Sequence, residues 1–239
     1  AGTAGTLVAA VLVAAVAAPP TRWLSERSES TQNHSARTLD AVAGVLRASG
    51  VQLVVIVAVS VDLVLARSVL DAHSAGLYSL GAVATKAAFW LPQAIGVVVY
   101  PRLADPVGSP GTLRRAVQVL AATGAVGTLA AALAGPLIPT VVSQDYRGVA
   151  GLMWLFALTG SMLAILQLML LAAIARSSTR GAMPAALVVV GEVIAIVFCA
   201  HSVLSLAVIA SVAATASVAV TALWLRLSRP RRAAGAAAG

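Results

Sequence analysis

The sequence has few charged residues, few aromatic residues and a single cysteine. Charged residues make up 10% of its 239 positions and aromatic residues 4%, whereas about 25% of the residues in a soluble domain are charged. This composition excludes an ordinary water-soluble globular domain. The lone Cys199 excludes a disulfide within the chain and a cysteine-based metal site, and its apolar surroundings predict a small buried side chain.

Long apolar runs dominate the sequence instead. Hydrophobic residues make up 60% of the chain, and the mean hydropathy is +0.96. A helix of about 20 residues crosses the hydrocarbon core of a bilayer, and seven runs have about that length. The expected fold class is therefore an all-α polytopic membrane protein. The predicted spans are 3–18, 46–68, 76–100, 115–138, 150–174, 182–200 and 204–225.

The positive charges are concentrated in alternate segments between these spans. From the first segment to the C-terminal tail, the counts of Lys and Arg are 3, 1, 3, 1, 2, 0 and 4, where Arg67 and Arg115 at the ends of their spans are counted with the adjoining segments. Cytoplasmic loops carry the excess of Lys and Arg in membrane proteins. We therefore expect a multi-pass protein of the cytoplasmic membrane, with a cytoplasmic solvated linker at 19–45 and a cytoplasmic C-terminus. These charges form no folded basic surface, so no nucleic-acid partner is expected.

No sequence pattern indicates catalysis or metal binding. His34, His73 and His201 are too far apart to bind one metal ion together. A glycine-rich phosphate loop and a Ser/His/Asp arrangement are also missing from the sequence. We therefore expect no enzyme activity, no metal site and no cofactor.

The third predicted span carries a polar stripe. Ser79, Lys86, Gln93 and Tyr100 recur every seven residues, which places them on one side of the helix. A charge at the bilayer centre costs about 2.5–3.5 kcal/mol, so it is expected to face water, a partner charge or a ligand. We interpret the stripe as the wall of a water-filled cavity that attracts an anionic group. The alternative is an ion pair between Lys86 and Asp62 that only holds two helices together.

Two other predicted spans carry polar residues at membrane depth. Arg47, Gln52 and Asp62 form a broad polar side of the second span. Glu192, in the sixth span, has no basic residue on its own helix. We expect Glu192 to be protonated or to pair with a helix outside this chain.

Residues 61–105 contain a series of short motifs around the third predicted span. They are Asp62, Ala66-Arg67, Ala75-Gly76-Leu77-Tyr78, Lys86, Leu91-Pro92 and Pro101-Arg102. In this order the motifs resemble the seventh and eighth helices of the oligosaccharide flippases. These are polysaccharide biosynthesis proteins of the multidrug/oligosaccharidyl-lipid/polysaccharide exporter superfamily. The segment around Tyr146 is similar to the family's segment before its tenth helix, but it lacks the glycine usually found shortly before that tyrosine.

The resemblance implies two lobes of six helices around a central cavity that opens alternately to either side. This chain then corresponds to the last helix of an incomplete N-terminal lobe (1–18), a cytoplasmic linker (19–45), a C-terminal six-helix lobe (46–225) and a basic tail (226–239). The implied partners are membrane lipid, the N-terminal lobe of the same protein and an anionic lipid-linked sugar as substrate.

The resemblance also assigns roles to the polar residues of the spans. The implied activity is that of a flippase for lipid-linked oligosaccharide or polysaccharide precursors. Arg47 and Lys86 attract the anionic head group, and Gln52 and Gln93 line the same cavity. Asp62 and Glu192 are the candidates for coupling or gating.

Two other functions fit the sequence. A multidrug exporter of the same superfamily would be expected to bind cationic drugs with acidic and aromatic residues, which are scarce in this chain. A membrane scaffold that recruits enzymes of cell-envelope polysaccharide synthesis would transport nothing.

Overall fold

The computed structural model describes residues 35–99, 110–141, 143–175 and 182–227. Within these ranges it describes the side chains of Ser49 and of residues 53–90, 113–141, 143–173 and 183–227. All regular structure in these ranges is helical, so the all-α prediction is confirmed for them.

Six long helices make up most of the described chain. They are α1 (Ser35–Val69), α2 (Ala72–Val99), α3 (Pro110–Ala134), α4 (Met153–Ala175), α5 (Ala182–Cys199) and α6 (Val203–Leu227). Short helical turns connect α3 to α4, at Gly135–Leu137, Ile138–Val141, Gln144–Tyr146 and Arg147–Ala150. Each long helix coincides with one predicted span.

The largest difference from the predicted spans is the start of α1. This helix begins at Ser35 and not at residue 46, so the end of the predicted linker 19–45 is helical. The predicted span 3–18 and all but the first residues of the tail 226–239 lie outside the described residues.

Three segments of the described chain are long and apolar enough to cross a membrane. They are Leu113–Val141, Met153–Ala173 and Val203–Leu227. Met183–Cys199 is a shorter apolar helix. These segments support a membrane protein, because about 20 apolar residues in a helix span the hydrocarbon core.

Helix α4 lies at the centre of the bundle. It packs against α1, α2, α3 and α6, while α5 packs against α1 and α6. Phe156 and Leu166 of α4 are fully buried, together with Leu65 of α1 and Ile196 of α5. The sequence of α4 is apolar on all sides, as expected for a helix surrounded by other helices.

Small residues allow the helices around α4 to approach closely. A Cβ atom at Gly160 of α4 would collide with the backbone carbonyl of Thr85 in α2. A Cβ atom at Gly124 of α3 would lie only 2.8 Å from the Cβ of Ser161 in α4, and the Ser161 hydroxyl donates to the Gly124 carbonyl at 3.4 Å. Such contacts are typical of membrane helix interfaces, where packing and hydrogen bonds replace the hydrophobic driving force.

Cys199 is exposed at the end of α5, so the prediction of a buried side chain is wrong. The adjacent Val197 and Phe198 are also exposed, whereas Ile196 and Ala200 are buried. The last turn of α5 therefore contacts the bundle through one narrow face. Hydropathy alone does not indicate which residues of an apolar helix lie on that face.

Asp71 caps the N-terminus of α2. Its Oδ2 accepts hydrogen bonds from the backbone amides of His73 at 3.0 Å and Ser74 at 3.1 Å. Hydrogen bonds from the Ser74 hydroxyl and amide, and then from the His73 amide, hold the pKa of the Asp71 carboxyl below its ordinary value. The side chain thus satisfies amides that the first helical turn leaves unpaired.

Removing this cap is expected to destabilise the α1–α2 hairpin. Asp71→Ala should lower the melting temperature in detergent, whereas Asp71→Asn should melt close to the wild type because Asn caps helices about as well. Because the pKa of the Asp71 carboxyl is lower in the folded than in the unfolded protein, its charge stabilises the fold at pH values above the unfolded-state pKa. This stabilisation is lost as the pH falls through the folded-state pKa. The wild type should therefore lose stability relative to Asp71→Asn below about pH 4. Equal melting of all three proteins at every pH would contradict the cap.

Candidate functional site

Two carboxyl groups and a phenol are buried together where α1 contacts α2 and α5. Asp62 of α1 is 4% exposed, Tyr78 of α2 is 0% exposed and Glu192 of α5 is 7% exposed. The Tyr78 hydroxyl donates a hydrogen bond of 2.6 Å to Oδ2 of Asp62. The Leu63 amide donates to Oδ1 of Asp62 at 2.7 Å. We call Asp62, Tyr78 and Glu192 the acidic cluster.

Helical periodicity explains why these polar residues are buried. On α1, Asp62 lies on the face that buries Val55, Ala58 and Leu65. On α5, Glu192 follows Val189 by three residues and so lies on the same buried face. The acids therefore occupy positions that would hold aliphatic side chains in an inert bundle.

The two acids lie close enough to influence each other. Two ionised carboxyls at the positions of Asp62 and Glu192 would repel each other, and an ionised Glu192 would also act on Tyr78. In the part of the chain with described side chains, no ion pair to a basic residue neutralises either acid. Burying unpaired charge is costly. Within the same residues, no group of three or more His, Cys, Asp and Glu side chains is placed to hold a metal ion.

Lys86 lies on a different side of α2. It is exposed, together with Val83 (62% exposed), Ala87 and Trp90 (61% exposed). We call these four residues the exposed face of α2. Lys86 is about 21 Å from the start of α2 at Ala72 and about 20 Å from its end, since a helix rises 1.5 Å per residue. The Lys86 side chain therefore lies at mid-helix and is accessible to any molecule that contacts the exposed face of α2.

The ion pair considered as an alternative role for Lys86 is not formed in the described chain. Lys86 attracts Asp62 electrostatically, but both Asp62 oxygens accept hydrogen bonds from Tyr78 and Leu63. Lys86 also lies about 10 Å farther from the α1–α2 turn than Asp62 does, at 1.5 Å per residue. In the part of the chain with described side chains, Lys86 therefore forms no ion pair that would hold α1 and α2 together.

The remaining candidate residues are only partly accounted for. Ser79 is half-buried and its hydroxyl donates to the Ala75 carbonyl at 2.8 Å. Arg47, Gln52 and Gln93 belong to α1 and α2, but their side chains lie outside the described residues. The structure thus brings Asp62 and Glu192 together, whereas Lys86 lies on another side of α2 and forms no ion pair with the described side chains.

Tyr78 is the residue of the acidic cluster that sequence reasoning missed. Tyr78 belongs to the motifs of residues 61–105, but it is not among the predicted site residues. The signal was nevertheless present, because a buried tyrosine hydroxyl usually needs a hydrogen-bond partner. In an antiparallel hairpin that turns at Leu70 and Asp71, residues at equal distances from the turn meet, and Asp62 and Tyr78 are nearly equidistant from it.

Removing the Tyr78 hydroxyl is expected to destabilise the protein. Tyr78→Phe should lower the free energy of unfolding by about 1–3 kcal/mol, because it leaves a buried carboxylate oxygen without its donor. The new ring keeps the edge-to-face contact with Phe156, whose centroid lies 5.1 Å from that of Tyr78. Unfolding in sodium dodecyl sulfate measures the change. Tyr146→Phe, at a half-buried position between helices, is the control, and equal losses in the two variants would contradict a specific Asp62–Tyr78 bond.

Comparisons with known proteins find no match. No protein-family model, no curated protein and no solved structure matches this chain. Function must therefore be inferred from the buried acids, the exposed lysine and the motifs of residues 61–105.

Proposed function

We propose that this protein is a flippase that moves lipid-linked oligosaccharide or polysaccharide precursors across the cytoplasmic membrane by alternating access. The observation that supports this proposal is the exposure of Lys86 at the middle of α2. A lysine facing lipid at this depth is costly, so Lys86 needs water or an anionic group beside it. The pyrophosphate of a lipid-linked sugar is such a group, while its acyl chain stays in the membrane.

The proposed architecture has more helices than the three apolar segments alone require. We propose about seven transmembrane helices, of which six form a C-terminal lobe and one belongs to an N-terminal lobe. The alternation of positive charge supports this topology and a cytoplasmic C-terminus. The cavity between the lobes would border the exposed face of α2.

The candidate residues divide into a head-group-binding set, which is basic or neutral, and a pair of acids. Arg47 and Lys86 attract the anionic head group, and Gln52 and Gln93 provide polar contacts. Asp62 and Glu192 couple or gate the movement, because their mutual repulsion is relieved when a proton or another cation binds. A change in the charge of the acidic cluster would alter the packing of α1 against α5, which is the kind of two-state element that alternating access requires.

Translocation by the full-length protein in proteoliposomes tests the proposal. The probe is a fluorescent polyprenyl pyrophosphate carrying an oligosaccharide, and a membrane-impermeant quencher reports which leaflet holds it. We expect rapid loss of protection in vesicles with protein and slow loss in vesicles without it. A fluorescent zwitterionic lipid is the control and should not move. If neither probe moves, the scaffold function becomes the better explanation.

A second candidate function is the export of cationic drugs. The acidic cluster favours it, because two buried carboxyls beside a tyrosine are suited to a positively charged ligand. The same proteoliposomes, loaded with a fluorescent lipophilic cation, distinguish the two activities. Export of the cation without movement of the lipid-linked sugar would support the exporter and contradict the flippase.

A further inference from the structure

Trp90 is the largest side chain on the exposed face of α2. It is 61% exposed and follows Lys86 by one helical turn, about 6 Å along the axis. Most of the flat indole ring is therefore open to the same surroundings as the lysine.

The indole is also held in place. The ring of the buried Phe89 contacts the ring of Trp90 edge to face, with centroids 5.3 Å apart and an angle of 81° between the planes. Phe89 is 4% exposed and anchors this turn of α2 in the bundle. A fixed aromatic surface loses little side-chain entropy when a ligand packs on it.

Trp90 is not placed like a membrane-interface anchor. Tryptophans that anchor membrane helices lie near the ends, at the depth of the lipid head groups. Trp154 at the start of α4 and Trp224 near the end of α6 have such positions. Trp90 lies about 14 Å from the end of α2 and about 7 Å from its midpoint.

We infer that Lys86 and Trp90 together bind the junction between the phosphate and the first sugar of a lipid-linked substrate. This inference rests on the proposed flippase function and names the part of the substrate that each residue contacts. The ammonium group binds the phosphate oxygens, and the indole packs against the apolar C–H face of the sugar ring. One helical turn between the two side chains matches the short distance between a phosphate and the sugar ring attached to it.

Two fluorescent probes distinguish the role of Trp90 from that of Lys86. One is a polyprenyl pyrophosphate carrying a disaccharide, and the other is the same lipid without sugar. In proteoliposomes of the full-length protein, Trp90→Leu should slow the flipping of the glycosylated probe about threefold to tenfold and that of the sugar-free probe less than about twofold. Lys86→Ala should slow both probes. Trp154→Leu is the matched control, since this tryptophan is 42% exposed at a helix end, and it should change neither rate.

Trp90→Phe keeps an aromatic ring beside Phe89. It therefore tests the role of Trp90 even if Trp90→Leu fails to fold. It should give an intermediate rate with the glycosylated probe and a wild-type rate with the sugar-free probe. Equal slowing of both probes by the Trp90 variants, or no slowing, would overturn the sugar-binding role and leave the flippase function intact. If the wild type moves neither probe, the proposed function fails and the inference fails with it.

Discussion

Lys86→Ala in the full-length protein is expected to slow the flipping of an anionic lipid-linked sugar about 100-fold, since removing one partner of a desolvated charge pair costs about 2–5 kcal/mol. The lysine lies at mid-helix on the exposed face of α2 and forms no ion pair with Asp62 in the described chain. The charge is therefore free to bind an anion. Flipping in proteoliposomes, with the quencher assay described above, measures the effect.

The same variant is expected to insert and fold normally. Asp62 keeps its hydrogen bonds from Tyr78 and Leu63 when Lys86 is removed, so no buried carboxylate loses a partner. Size-exclusion chromatography and thermal melting should match the wild type. Lys86→Arg preserves the charge and should retain most of the activity. Wild-type flipping by Lys86→Ala would remove Lys86 from the mechanism, whereas loss of folding would show that its role is structural.

The positions of the helices could be predicted from the sequence because hydropathy and charge determine them directly. Each of the six long helices coincides with a predicted span. The early start of α1 at Ser35 could not be predicted in this way. Helices continue into water where the local residues favour them, as Ala41, Leu46 and Arg47 do, and hydropathy reports only the apolar part.

Polar residues within the apolar spans could be selected from the sequence as candidates, but their spatial arrangement could not be predicted. The positions of Lys86 and Asp62 along their predicted spans were compatible with an ion pair. In the structure, however, the two residues lie on different helix faces and at different distances from the α1–α2 turn. The partners that Asp62 has instead depend on two tertiary facts, namely the register of the α1–α2 hairpin and the packing of α5 against α1. Neither fact can be read from hydrophobic periodicity, because periodicity identifies the buried face of a helix but not the helix that packs against that face.

Gly160→Ala is expected to destabilise the helix bundle by about 1–3 kcal/mol, because it overpacks a closely packed interface. Its new Cβ would collide with the carbonyl of Thr85 and lie 3.0 Å from the Cβ of Ala88. A backbone carbonyl cannot rotate away as a side chain can, so α2 would have to move away from α4. Thr85 and Lys86 are adjacent in α2, so this movement would also shift the exposed face of α2.

Glycines in open surroundings provide matched controls for this prediction. A Cβ at Gly127 of α3 or Gly191 of α5 would meet no atom within 4 Å. Alanine at these helical positions should stabilise the protein by about 0.5–1 kcal/mol, since alanine favours the helix over glycine. Thermal melting in one detergent can measure the stability changes, which are expected to be negative for Gly160→Ala and positive for the two control variants. A Gly160→Ala variant that melts at or above the wild-type temperature would contradict the close contact between α2 and α4.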